Sequence, residues 1–160
     1  YSAICEVLSG SAWFLFQMLD EKNRSVPYCA IQQARPGDKI IIPPNLYHCV
    51  VNAGDAPLLF STIASTNAKR IYAPLGDLHG EAWHNLLNEG WVKNPFYQTA
   101  ADPEWWLPTP HPELGLTPNR PLYHNLVQLP ESLLWLLEPM SFPDIFPDIW
   151  DSITHLMRNS

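Results

Sequence analysis

The apolar and polar positions of the first part of the chain alternate in short blocks broken by turn residues. Ala3 to Leu8 (AICEVL) reads as a strand ended by Ser9-Gly10, and Ala12 to Leu19 (AWFLFQML) as a second. Asp20-Glu21-Lys22-Asn23 is the hairpin turn between the second and a third strand, Ser25 to Gln33. Pro27 falls near the start of that third strand, where an edge or entry position tolerates it. Pro36-Gly37-Asp38 is a tight-turn signal, followed by the β-branched run Ile40-Ile41-Ile42. Pro43-Pro44 stops that strand because neither residue donates to a ladder. His48-Cys49-Val50-Val51 resumes extended chain, Asn52 to Asp55 turns, and Leu58 to Ala64 (LLFSTIA) closes the series. Six short strands with frequent turn signals and no intervening helix predict an antiparallel sandwich or barrel. A histidine behind a rigid Pro-Pro corner, at the start of a strand, is well placed to point into it.

The pattern changes after about Asn67. Asp77 to Asn88 (DLHGEAWHNLLN) predicts a helix with an acidic N-cap, apolar positions at Trp83, Leu86 and Leu87, and a stop at Gly90. From Pro95 to Pro147 there are eleven prolines, with Trp, Phe, Tyr and Leu among them. That mixture predicts extended chain wrapped on the barrel or on a partner subunit, since a disordered segment would be poor in aromatics. Pro130 to Leu137 predicts a short helix with proline in its first turn, and Asp148 to Arg158 a last amphipathic helix. The expected organisation is one domain, with a barrel core over 1–66 and an extension over 67–160 packed on it.

At 160 residues, 46% hydrophobic and 16% charged, the chain is long enough to bury a substantial core. No apolar run approaches the ~20 residues of a membrane span, and no signal peptide is visible. The first residue is Tyr1, almost inside the first strand, so the chain reads as a fragment of a longer protein. Cys5, Cys29 and Cys49 show no metal-type spacing, and an odd count without a secretory signal predicts reduced core thiols in a cytoplasm. Charge is uneven. Residues 1–75 hold six Lys/Arg and five Asp/Glu, whereas residues 76–160 hold three and eleven, so +1 and −8 give the net −7. No basic stripe is present, which argues against a nucleic-acid partner. An acidic surface repels anionic ligands unless Arg35, Lys39, Lys69 or Arg70 opposes it locally.

The run Glu6-Val7-Leu8-Ser9-Gly10, an aromatic-aliphatic strand ending in Gln17, then Pro36-Gly37-Asp38, resembles the cupin superfamily. So does Pro43-Pro44 with His48, Asn52, Gly54-Asp55 and Pro57. Within it, the chain is similar to the cupin-type glucose-6-phosphate isomerases. Lys93-Asn94-Pro95 with Tyr97, Glu113-Leu114-Gly115-Leu116 and Arg120-Pro121-Leu122-Tyr123 resemble the C-terminal extension of longer bacterial members. The resemblance implies an all-β cupin jelly-roll barrel with a Pro-rich extension carrying short helices. It also implies a homodimer and one divalent metal (Fe, Mn, Ni or Zn). The implied chemistry is aldose–ketose interconversion of glucose 6-phosphate and fructose 6-phosphate, where a Lewis acid stabilises developing charge and a base manages protons.

Family members ligate the metal through an HxH pair, a glutamate and a later histidine. The later histidine corresponds to His48, and the HxH pair is expected a few residues before Tyr1. The glutamate position holds Ala3, and the aromatic position two residues later holds Cys5. Alternation places Ala3, Cys5 and Val7 on one face and Ile4, Glu6 and Leu8 on the other, so Glu6 replaces the ligand only through a bulge or a register slip. Alternation also points Cys5 and Gln17 toward the expected interior as substrate-binding candidates. The resemblance makes Tyr72 a candidate ligand-contacting tyrosine after the last core strand. Lys69 and Arg70 are candidates for the phosphate, against a solvated surface pair. His79 and His84, at i and i+5, do not cluster on one helical face and read as structural, and Trp105-Trp106 reads as packing or a dimer contact in preference to the alternative, a sugar-stacking platform. Without a carboxylate the ligand shell is neutral and holds a hard cation less tightly. Ala3 and Cys5 therefore keep open a catalytically silent cupin that binds a small ligand or a structural partner. Another cupin chemistry, such as a metal-dependent oxygenase, is a third reading.

Overall fold

The computed structural model describes residues 2–20, 22, 24–69, 71–142 and 145. The first strands are β1 (Ala3–Ser9), β2 (Ala12–Met18), β3 (Ser25–Val26), β4 (Tyr28–Ala34), β5 (Lys39–Ile42), β6 (Tyr47–Asn52) and β7 (Leu59–Ala64). The expected third strand is thus split at Pro27, which lacks the N–H to continue a ladder. Further along the chain come α1 (Ala73–Asp77), β8 (Trp83–Leu86), β9 (Gly90–Lys93), β10 (Thr99–Ala100), β11 (Glu104–Trp106) and α2 (Leu122–Gln128).

Two sheets face one another. One has the order β5-β1-β7; the other has the order β11-β4-β2-β6, in which β11 runs parallel to β4 and the rest is antiparallel. Turn chemistry sets the register. At the Pro36-Gly37-Asp38 turn, Arg35 N donates to the Asp38 carboxylate at 2.8 Å. Gly37 has φ +94°, and a Cβ there would lie 3.0 Å from the Pro118 carbonyl oxygen, so both conformation and space require glycine. After the Pro43-Pro44 corner Asn45 takes φ 64°, and the chain returns as β6.

The space between the sheets is filled by Cys5 and Val7 of β1, Phe14 and Phe16 of β2, Tyr28 and Ala30 of β4, and Ile40 and Ile42 of β5. Phe14 meets Phe60 of the opposite sheet edge-on at 6.2 Å. This is the two-layered all-β architecture of a cupin jelly roll. The outer faces are covered as well. Ile4 packs beneath Leu116, Leu122 of α2, and Leu133, Trp135 and Leu136 of a 3-10 helix at Pro130–Leu136. Leu15, Cys29 and Ile31 pack beneath Ala82 and Tyr97, with Trp13, Trp83 and Trp91 alongside. Burial on both faces explains why β2 is apolar at nearly every position, each such side chain contributing about 1.5–3 kcal/mol.

The helix expected over Asp77 to Asn88 does not form. Asp77 ends α1, His79 and Gly80 take φ 58° and 108°, and β8 pairs with β9 as a hairpin. Tertiary hydrogen bonds override the local pattern: the buried Asn94 amide donates to the Leu78 and Glu81 carbonyls, both at 2.9 Å. The Trp83 indole donates to the Ala101 carbonyl at 2.9 Å. The expected helix at Pro130 to Leu137 is present as the 3-10 helix. The one expected over Asp148 to Arg158 lies outside the described residues, as does the candidate Arg70. Among the described residues no helix is long and apolar enough to cross a membrane.

Candidate functional site

His48 pairs with Phe16 across β6 and β2, and directly opposed residues share a face, so the imidazole lies on the inner side of the sheet. Its ring sits 6.5 Å from that of Phe16. Unlike the aromatic interior behind it, His48 is exposed, because β6 is the outer strand of its sheet. Cys5 also faces inward, as alternation predicts. Its Sγ lies 3.2 Å from the Thr62 hydroxyl, and burial pushes the thiol up, with the Thr62 contact opposing.

Gln17 is a correction. It faces out of the interior, on the side of β2 shared with Leu15, and is fully buried beneath the extension. Its Nε2 donates to the Tyr97 hydroxyl at 3.1 Å, and its Oε1 accepts from Ala82 N at 2.8 Å. Tyr97 in turn donates to the Gly80 carbonyl at 2.9 Å. Gln17 therefore holds the β8–β9 layer onto the barrel. Alternation misassigned it because β2 is apolar on both faces and marks neither as inner.

Glu6 faces outward, as alternation predicts, and no register slip brings it in. Its carboxylate pairs with Lys39 at 3.0 Å, with side chains 7% and 4% exposed, and accepts from Leu122 N at 2.7 Å. Lys39, expected among the cations facing an anionic ligand, is thus consumed in a buried contact. Lys69 is exposed, and Tyr72 is 65% exposed at the start of α1. Ala3 offers no ligand atom, and no group of three His, Cys, Asp or Glu among the described residues is arranged to hold a metal ion. The described donor set does not fit the expected metal.

Three residues lie on the same inner face as His48, two of which the sequence did not single out and one, Trp106, which it read as packing or a dimer contact in preference to a sugar-stacking platform. Trp106, from the extension strand β11, places its ring 6.4 Å from Phe16 and 6.1 Å from Tyr28. Glu104, two residues earlier on that face, accepts from the Trp106 indole at 3.3 Å. Tyr28 is 5% exposed, and its buried hydroxyl has no hydrogen-bond partner among the described residues. Burial, and then the nearby Glu104 charge, push that phenol well above the usual tyrosine range. Trp105 turns outward to meet Trp13 at 6.4 Å. The Trp105-Trp106 pair is therefore divided between the two faces, one ring packing outside and one lining the interior.

Comparison with curated proteins and with solved structures returned no match. A model of the glucose-6-phosphate isomerase (GPI) family matches residues 1–102, which includes six of the seven strands of the two facing sheets, all but β11, and the β8–β9 hairpin. Together with the two-layered fold and the inward His48, that match shows that this chain belongs to the glucose-6-phosphate isomerase (GPI) family.

Proposed function

We propose that the protein is a cupin-type sugar-phosphate isomerase, interconverting glucose 6-phosphate and fructose 6-phosphate, with His48 at its site. The observation that carries this reading is the family match over residues 1–102, with the inner imidazole inside the matched segment. Aldose–ketose isomerisation moves a proton between adjacent carbons, and an imidazole is suited to accept and return it near neutral pH. The aromatic interior behind His48 limits water at one side of the site. A divalent metal belongs to this proposal only with donors beyond the described residues. The homodimer and the cytoplasmic setting are parts of the same proposal.

The test is conversion of fructose 6-phosphate by the purified full-length protein, alone and after addition of Fe, Mn, Ni or Zn, with metal content measured in parallel. Turnover that drops at least about a hundred-fold in His48→Ala, in the range of a lost general base, supports the reading. Absence of turnover under every condition sinks it. A second reading, a cupin that binds sugar phosphate without converting it, is favoured by Ala3 at the expected glutamate position and by the commitment of Glu6 to Lys39. Sugar phosphate binding without turnover, unchanged by metal, selects that reading.

A further inference from the structure

The family match ends at residue 102, and the chain beyond it immediately adds a strand to the sheet that carries His48. Register shows where that strand delivers its side chains. His48 stands opposite Phe16, Phe16 opposite Ala30, and Ala30 beside Glu104, so these four form one row across the inner face. Ala30 is the small member of the row, and the Trp106 ring leans over it to reach both Phe16 and Tyr28. The result is an aromatic wall with one carboxylate beside it and one buried hydroxyl that has no partner among the described residues. An unsatisfied buried hydroxyl costs about 1–3 kcal/mol unless something binds it.

We propose that Tyr28, Glu104 and Trp106 form a subsite for the hydroxyl-bearing carbons of a sugar. The proposal deepens the isomerase reading and rests on it for the class of ligand. An aromatic face covers the apolar C–H side of a sugar ring, a carboxylate accepts from its hydroxyls, and a phenol donates to one of its oxygens. The carboxylate also sets orientation. It repels a phosphate, so the phosphorylated end of the ligand lies away from Glu104. Tyr28 falls inside the matched segment and Glu104 and Trp106 beyond it, so the extension completes the subsite.

Calorimetric titration of the full-length protein with fructose 6-phosphate, and separately with unphosphorylated fructose, tests the subsite. Glu104→Gln is an exposed, near-isosteric change that leaves the fold intact, which thermal melting verifies. Expected is a loss of about ten-fold or more in affinity for both sugars, by a similar factor, because the subsite contacts hydroxyls and not phosphate. Tyr28→Phe is expected to weaken both likewise, and the tryptophan fluorescence change on binding is expected to shrink in Trp106→Phe. Wild-type affinity in Glu104→Gln and Tyr28→Phe overturns the proposal even where turnover persists, and so does a wild-type protein that binds neither sugar. Sugar that binds through these residues without being converted overturns the isomerase reading alone.

Discussion

The two faces of the β2–β4 sheet differ in which polar side chains they carry and how those are engaged. On the outer face, Gln17 has both ends of its amide bonded, and Asn94 bonds two carbonyls with its Nδ2 and the Phe96 amide with its Oδ1. On the outside of the other sheet, Glu6 meets Lys39 and a backbone amide. On the inner face, Tyr28 has a buried hydroxyl without a partner among the described residues, and His48 stands exposed at the edge. Bonded amides and charges hold the layers together, whereas the buried Tyr28 hydroxyl, like the Trp91 indole N–H of the outer layer, has no partner among the described residues. The bonded groups attach the extension to the barrel, and the inner face carries the residues of the proposed site.

The strongest test of this contrast is the Glu6–Lys39 contact. Glu6→Ala leaves a buried ammonium unpaired and the Leu122 amide unbonded, and is expected to cost about 3–5 kcal/mol. Denaturant midpoints measure it. The double variant Glu6→Leu/Lys39→Met is expected to recover much of the loss, since it removes both charges. Equal losses in the single and double variants would show that the pair matters through packing and not through charge.

Next comes the outer layer as a seal. Burial pushes the Cys29 thiol up to about 12 and, with the adjacent Glu81 charge adding to it, Cys49 to about 12, from an ordinary 9.0. The unfolded chain therefore loses these protons first. Stability is fully present below pH 9.0 and is expected to fall as pH rises toward about 12. Thiol-reagent labelling at pH 8 should be slow in the folded protein and complete on denaturation. Rapid labelling of Cys29 would mean that the hairpin layer opens readily.

The smallest effects separate the two faces most directly. Gln17→Leu strands the Ala82 N–H and one side of Tyr97, and is expected to cost about 1–3 kcal/mol without altering sugar affinity. Tyr28→Phe removes a buried hydroxyl without a partner among the described residues and is expected to raise stability, by up to about 1–3 kcal/mol, while weakening sugar binding. A large stability loss in Tyr28→Phe would place that residue with the structural set.

Much of the barrel was legible because its signals are local. Pro36-Gly37-Asp38, Pro43-Pro44 and Asn52 to Asp55 impose turns whatever surrounds them, and the inward positions of Cys5 and His48 follow from their strands. Two other features were hidden. The Asp77 to Asn88 segment carries a helical spacing of apolar residues, yet hydrogen bonds from Asn94 and Trp83 fix it partly as a hairpin strand. Glu104 gave no signal of an inner-face role and the Trp105-Trp106 pair did not show which ring turns inward, because a parallel pairing with a strand some seventy residues earlier decides both.

The sequence by itself determined the strands up to β7 apart from the break at Pro27, the turns between them, the kinship to a cupin family and the side of β1 on which Glu6 lies. Tertiary structure decided which face of β2 is the inside, what Glu6 and Gln17 bind, and that Trp105 and Trp106 part company. The physical reason is the same in each case. A strand buried on both sides carries no alternation to read, and a buried polar group takes its meaning from a partner that only folding brings near.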